Sequence, residues 1–354
     1  MAVLNVLVVN AGSTSLKLHL VFPDGSAERL GSLVDAAGRV DAVAHRVVHG
    51  GPKLRQPVLI DADVRAQIFA ASPLAPLHTA PALRGIENAE AVLSDIPHIA
   101  VFDTGFHATI PDAAATYGLP RQWREDWSVR RYGFHGLSVQ WSAEQVRVRR
   151  LIVCHLGGGC SVTAVLDGRS VDTTMGFSPL EGVPMATRSG SIDPGSILYV
   201  LREHGLSVDQ LDQALNHDAG LRGLAGGSGD MRELELRADA GDEAAVRAFA
   251  VFVHRLVAAI AAMSASTRGL DAIVFTAGIG EGSPLVRRDV CNRLRYLGIE
   301  LDESLNADCA GDADIGAPSS AARVVVVKAR EEVVAARATI RLLSGAEAAR
   351  HPRA

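Results

Sequence analysis

The chain has 354 residues, 48% hydrophobic and 21% charged, with a formal net charge of −5 and a sequence pI near 6.2. That is globular composition with more chain than one ordinary core needs, so two domains are expected, and there is no basic field to attract nucleic acid. Cys154, Cys160, Cys291 and Cys309 lack C-x-x-C spacing and read as small buried residues of a reducing, cytoplasmic compartment.

The first element, Leu4 to Val9, reads as a strand with no basic leader ahead of it. It runs into Asn10-Ala11-Gly12-Ser13-Thr14-Ser15 and resumes as a second strand in which Leu16, Leu18 and Leu20 alternate. A hairpin needs a turn, but not three hydroxyls followed by Lys17. Such a turn gathers several donors and a cation, which suits an anion such as phosphate; on this stretch alone an ordinary surface hairpin reads equally well. Farther on, a helix Pro81 to Leu93 precedes a strand Ile99 to Asp103, and a helix Leu137 to Val146 precedes a strand Leu151 to Cys154. The alternation is α/β. VCHLGGGCSVTAVLDG from Val153 repeats the plan of VVNAGSTSLKLHLVFPDG from Val8: strand, glycine turn, alternating strand, D-G turn. The repeat suggests two similar domains. The most apolar helix, Glu243 to Ser266, is interrupted by Arg247, His254 and Arg255 and is not read as a membrane span. A last strand, Ala272 to Thr276, leads into a third glycine turn, FTAGIGEGSP, whose Gly278, Gly280, Gly282 spacing is wrong for a dinucleotide fingerprint. Three glycine turns at strand ends fit a nucleotide held in a cleft between two domains.

Between these elements lie polar clusters that a core does not need: HRVVHGG from His45, PLAPLH from Pro73, VFDTGFH from Val101, RRYGFHG from Arg130, and MGFSPLEGVPMATRSGSIDP from Met175. His45 and His49 are spaced i, i+4 but sit in a Val-Val strand, and no H-E-x-x-H exists, which argues against zinc. No G-x-S-x-G elbow is present for serine hydrolysis. Arginine, carboxylates and glycine turns remain, the equipment of phosphoryl transfer.

These blocks, together with HLGGGCSV, GDMRE, FTAGIGE and REEVVAAR, follow one another as the corresponding blocks do in acetate kinases, and the chain is identified as resembling that family over almost its whole length. The resemblance implies an α/β, duplicated two-domain fold like that of actin, sugar kinases and heat-shock ATPases, with a nucleotide cleft between the domains. The expected domains are residues 1–147, with a C-terminal helix 331–345 packing back on them, and residues 148–330. It implies phosphoryl transfer between ATP and acetate, or another short-chain carboxylate, giving acetyl phosphate and ADP. Magnesium, with manganese as an alternative, and a homodimer come with it, while no nucleic acid or membrane partner is expected. By similarity, Asn10, Ser13, Ser15 and Lys17 line the phosphate end, Arg46 and Arg188 hold the carboxylate and the phosphoryl group, and Asp103 orients an arginine and helps organise the metal. His135 stabilises the transition state, and Asn10 and Glu331 hold the metal. Val48, Leu77, Phe134 and Pro179 form the acceptor's methyl pocket. His155, Gly157, Gly158, Gly159, Asp230, Met231, Arg232, Gly278, Ile279 and Gly280 contact the nucleotide.

The sequence departs from the family pattern at five places. Gly158 replaces an asparagine, a form similar to butyrate kinases, Ser191 replaces an aspartate, and Gly282 replaces another asparagine. Gly136-Leu137-Ser138-Val139 stands for G-T-S-H, and Lys328-Ala329-Arg330 for P-T-N. Arg330, beside Glu331, is expected to compete with the metal for phosphate. The segment from Val21 to His45 is shorter than in relatives. A noncatalytic nucleotide-binding protein and an acyl phosphatase stay open as alternatives.

Overall fold

The structure, a computed structural model, describes residues 4–11 and 16–350, the side chains of Pro76, Leu77 and 346–350 excepted. Ser13 and Ser15 and the side chain of Leu77 therefore lie outside the described residues.

The chain forms two six-stranded mixed sheets. The first contains β1 (Val6–Ala11), β2 (Leu16–Val21), β3 (Ala27–Leu30), β4 (Ala42–Val47), β5 (Val58–Leu59) and β6 (His98–Phe102), in the order β3-β2-β1-β4-β6-β5. The second contains β7 (Arg150–Leu156), β8 (Cys160–Leu166), β9 (Arg169–Thr173), β10 (Ala272–Thr276), β11 (Ala313–Asp314) and β12 (Arg323–Val326), in the order β11-β12-β10-β7-β8-β9. Read from the other edge, this second order is the first with every strand number raised by six. In both sheets an antiparallel meander of three strands is followed by two parallel strands and a short antiparallel edge strand. The duplication suspected from two hairpins thus extends to twelve strands.

Residues 1–108, 134–141 and 330–354 form one compact unit, and residues 109–133 and 142–329 the other. The sequence reading put 109–133 in the first domain. The structure groups it with the second unit, where Arg131 donates to the carbonyls of Thr173 and Thr174 and Tyr132 N donates to Gly176 O.

In the first unit the residues of β1 from Val6 to Val9 are all buried, as a strand covered on both faces requires. Side chains alternate between faces. Leu7 and Val9 share a cluster with Val43 and with Ala89 and Leu93 from the region of the helix Pro76–Val92. The other face of β1 and β4 carries Asn10 and Arg46, and the helix Glu331–Arg350 packs on the same sheet. The helix Pro76–Val92 begins a turn before the expected Pro81 because Pro76 occupies a first-turn position, where a missing N–H costs nothing.

In the second unit the helix Glu243–Thr267 is capped by Asp242, which accepts from Ala244 N and Ala245 N, and it ends at Arg268 in a left-handed conformation. It is long and apolar enough to cross a membrane by length and composition. Its Phe252, Val253, Leu256 and Ile260 are nonetheless buried, and it packs against β7, β8 and β9. The expected third glycine turn is in fact a short helix, Ala277–Gly282. It starts from Ala277 at φ 65°, and the Glu281 carboxylate accepts from Ala277 N at 2.8 Å, closing the first turn with a side chain.

Candidate active site

Strand register builds the first cluster. Lys17 on β2 pairs with Asn10 on β1, and Asn10 pairs with Arg46 on β4, so the three side chains stand in a row on one face of the sheet. Arg46 donates Nε–H to Asp103 Oδ1 at 2.8 Å and Nη2–H to Oδ2 at 2.6 Å, and an Nη1–H goes to Asn10 Oδ1 at 3.1 Å. Glu331 Oε2 lies 3.4 Å from Arg46 Nε. Burial works to lower the Arg46 pKa, but the charges of Asp103 and Glu331 outweigh it and hold it above the ordinary value. A guanidinium has five N–H donors, so Arg46 keeps one at each terminal nitrogen for an oxyanion. Lys17 is exposed.

His135 is set against this cluster by its backbone. Asp103 O accepts from Gly136 N at 2.9 Å, and a Cβ on Gly136 would stand 2.2 Å from that oxygen. Only glycine lets the peptide after His135 dock there. His135 itself takes φ 60°, an uncommon conformation of the kind that concentrates at functional positions. The next helix, Gly136–Gln145, carries Trp141. The guanidinium of Arg330 lies 5.6 Å, and that of Arg337 5.4 Å, from the centroid of its ring. Arg330 was expected to compete for phosphate. In the structure it faces the Trp141 ring, a contact that suits a planar, weakly hydrated cation.

Of the acceptor-pocket residues, Phe134 is buried, meets His49 edge to face at 5.4 Å, and accepts at its carbonyl from His107 Nε2 at 2.8 Å. Val48, next to His49 in sequence, is half-buried. Pro179 belongs to the second unit, where its carbonyl accepts from Arg188 Nη1 at 3.3 Å.

Arg188 otherwise has only a long contact to Met185 Sδ. Among the described residues no carboxylate pairs with it, and burial lowers its pKa. A half-buried guanidinium with most donors unspent is built to receive an anion. Its loop is fixed independently of the side chain: Met185 O accepts from Leu221 N, Thr187 O from Ala219 N, and Leu215 O from Ser189 N. Gly220, at φ 62°, passes so close that a Cβ would lie 2.2 Å from Met185 O. Ser191 closes the same loop, accepting from Gly182 N at its hydroxyl and donating its own N–H to Gly182 O.

The second unit also contains a cavity of about 580 Å³. Gly157, Gly158, Asp230, Met231, Arg232, Gly278 and Ile279 of the expected nucleotide set line it. Ala186, Ser228, Gly229, Gly282 and Ser283 line it as well and were missed as contacts, although all of them lie in or beside the quoted blocks. His155, Gly159 and Gly280 do not line it. Gly159 O closes the β7–β8 turn by accepting from Gly157 N, and His155 is buried in β7. Asp230 caps the helix Met231–Asp239 and is bridged by Arg232, which lowers its pKa to about 2. Cys160 beside the turn is no nucleophile, since burial pushes its thiol up to about 12.

No cluster of three or more His, Cys, Asp or Glu suited to a metal occurs among the described residues. Magnesium needs no such cluster, since it is held by one or two carboxylates plus waters and substrate phosphates. Glu331 and Asn10 each contact Arg46, at 3.4 Å and 3.1 Å.

The acetokinase family model matches residues 31–337. The chain belongs to the acetokinase family. It is 48% identical over 308 residues to an acetate kinase of Nostoc punctiforme, covering 85% of this chain and 76% of that one. To an acetate kinase of Microcystis aeruginosa it is 43% identical over 350 residues, covering 94% and 87%. Among solved structures, a propionate kinase of Francisella tularensis superposes with a TM-score of 0.88 at 34% identity, covering 94% of this chain and 98% of that one. A Porphyromonas gingivalis acetate kinase gives 0.85 at 31% identity, covering 96% and 99%. Membership makes the chain a carboxylate phosphotransferase on the duplicated actin-like ATPase fold.

Proposed function

We propose that this acetokinase is an acetate kinase, transferring the γ-phosphoryl group of ATP to acetate, reversibly and with magnesium. The observation that carries this reading is Arg46, locked along its Nε–Nη2 edge by Asp103 and at Nη1 by Asn10, with an N–H left at each terminal nitrogen. That is a fixed cation shaped for a carboxylate or phosphoryl oxygen.

In this reading the attacking carboxylate oxygen forms its bond to the γ-phosphorus in line while the bond to the bridging oxygen of ADP breaks. No covalent enzyme intermediate is required. Arg46 orients the acceptor, Arg188 neutralises charge on the phosphoryl oxygens, and His135 donates to them as charge spreads in the transition state. Val48 and Phe134, with Leu77, enclose the methyl group, and the glycine-lined cavity holds the nucleotide. Glu331 and Asn10 would hold magnesium, which would supply charge neutralisation for the transferred phosphoryl group. A homodimer in the cytoplasm is the accompanying expectation, checked by light scattering and fractionation.

A hydroxamate assay with ATP and magnesium across acetate, propionate and butyrate tests the proposal. Acyl phosphate formation fastest with acetate supports it. ADP binding without turnover would favour a noncatalytic nucleotide-binding protein, and phosphate release from acetyl phosphate without ADP would favour a hydrolase.

A further inference from the structure

Arg287 is the largest fully buried side chain, 0% exposed, and among the described residues no carboxylate forms an ion pair with it. A buried charge without a counter-ion is expensive unless every donor is satisfied. Here the partners are carbonyl groups and an amide. Nη1 donates to Gly280 O at 2.9 Å and to Glu281 O at 2.8 Å, Nε donates to Asn306 Oδ1 at 2.8 Å, and Nη2 to Asn306 O at 3.0 Å. Asn306 is buried in turn and donates Nδ2–H to Pro284 O.

The two carbonyls that Arg287 holds belong to the last turn of the helix Ala277–Gly282, where no intrahelical donor is available. This helix is too short to be stable alone and spends three of its six positions on glycine. Its geometry is therefore set by what grips its ends. At the start, Glu281 Oε1 accepts from Ala277 N and from Ala329 N. At the end stands Arg287. Between the two grips lie Gly278 and Ile279, with Gly282 directly after them, and all three line the cavity. Ser283, on the same wall, is bonded to Glu235 of the helix Met231–Asp239, whose Met231 and Arg232 line the cavity too.

We propose that Arg287 is a positioning residue for nucleotide binding: by holding the carbonyls of Gly280 and Glu281 it fixes the wall formed by Gly278, Ile279 and Gly282 against the nucleotide. This rests on the reading of the cavity as the nucleotide site. Arg287 touches no substrate. Its removal should therefore loosen nucleotide binding and leave the acceptor site alone.

The test compares full-length wild type with Arg287→Met, Arg287→Lys and Asn306→Ala. It uses calorimetric titration with ADP and magnesium, and KM for ATP and for acetate. Losing charge-assisted bonds to the wall should raise the ADP Kd and the ATP KM by about tenfold in Arg287→Met, with the acetate KM within about twofold. Arg287→Lys should recover part of the loss, and Asn306→Ala should shift the same two constants more weakly. If Arg287→Met does not fold, the other two variants carry the test. A lower melting temperature with unchanged ADP Kd and ATP KM in the folded variants means a merely structural arginine and overturns the proposal. Gly278→Leu, which puts bulk into the cavity directly, separates the two layers. Weakened ADP binding there with none in the Arg287 variants defeats only the positioning role. Unchanged binding in all of them defeats the cavity assignment and the proposal with it.

Discussion

Arg46 and Asp103 form a two-point bond, Nε to Oδ1 at 2.8 Å and Nη2 to Oδ2 at 2.6 Å, with the carboxylate side chain only 2% exposed and the guanidinium 17%. The pairing fixes the plane of the guanidinium, and so fixes the direction in which its spare N–H groups point. Asp103→Asn keeps the shape but removes the charge and one acceptor, leaving Glu331 as the competing partner at 3.4 Å. The expected outcome is a fall in kcat/KM for acetate of about a hundredfold or more, the scale of misplacing a reacting group by an ångström, with a folded protein by circular dichroism. Activity within a few-fold of wild type would show that Asp103 does not orient the arginine.

Arg188 should matter for turnover and little for stability. Its loop is held by backbone bonds from Leu221, Ala219 and Ser189, and the side chain makes one long bond to a carbonyl. Arg188→Ala should lower kcat by about 10³-fold, the scale of arginine contributions to phosphoryl transfer, while the melting temperature stays within a few degrees. A large loss of stability would mean that the loop leans on the guanidinium after all.

Much of this was legible in the sequence because hairpins and glycine turns leave local signatures. VVNAGSTSLKLHLV and VCHLGGGCSVTAVL gave away a duplication that the matched strand orders complete. Asn10, Arg46, Asp103 and Glu331 were named from the family resemblance alone, and strand register with the start of one helix brings them into bonding distance. The glycine helix Ala277–Gly282 was not legible: three glycines argue for a turn, and what winds them is a side chain at Glu281 and another at Arg287. Nor was the direction of Arg330, which depends on Trp141, 189 positions earlier in the chain. Tertiary partners override local preference in both cases.

Gly158 lines the cavity proposed for the nucleotide, and a Cβ there would meet nothing within 4 Å. Gly158→Asn restores the family's side chain in open space. The expected result is an unchanged melting temperature, an ATP KM lowered by a few-fold through one added hydrogen bond, and an unchanged acetate KM. A raised ATP KM would mean that the cavity needs the space glycine leaves.

Glu331 and Arg330 are adjacent and should behave differently. Glu331→Ala should raise the magnesium concentration for half-maximal activity several-fold and weaken manganese binding read by electron paramagnetic resonance, since it removes a hard oxygen donor. Arg330→Asn, taken from a guanidinium engaged with Trp141, should cost about 0.5–1 kcal/mol of stability and leave the metal titration unchanged. If the two variants shift the titration alike, the separation of roles fails.

Burial holds His107 neutral, with its pKa lowered to about 4, while its Nε2 donates to Phe134 O, the carbonyl just before His135. The unfolded chain takes up the proton near pH 6.5 and the folded chain only near 4, so stability is full above 6.5 and falls as the pH drops through that window. The loss should reach about 2 kcal/mol by pH 5. His107→Gln, which keeps a donor but cannot titrate, should be less stable at pH 8 and show a shallower decline in denaturant midpoint between pH 6.5 and 5. An equal slope in both proteins would show that another group carries the acid sensitivity.

The acceptor preference should follow the apolar residues and not Gly158. That glycine, the feature similar to butyrate kinases, lines the cavity of the second unit proposed for the nucleotide. Val48 and Phe134 stand in the first unit, and the Phe134 ring is fixed by His49 at 5.4 Å and by burial. In the proposed acceptor pocket a rigid ring and a β-branched side chain leave little slack for a longer chain. One methylene in such a pocket is worth roughly 1–3 kcal/mol, so propionate should follow acetate by about tenfold or more in kcat/KM, and butyrate should be poorer again. Val48→Ala removes two methyl groups without touching Arg46 or the nucleotide cavity, and should narrow the acetate-to-butyrate ratio mainly by raising butyrate turnover. The measurement is kcat/KM for the three acids in both proteins. Butyrate equal to acetate in the wild type would show that neither Val48 nor Phe134 sets the length of the acceptor.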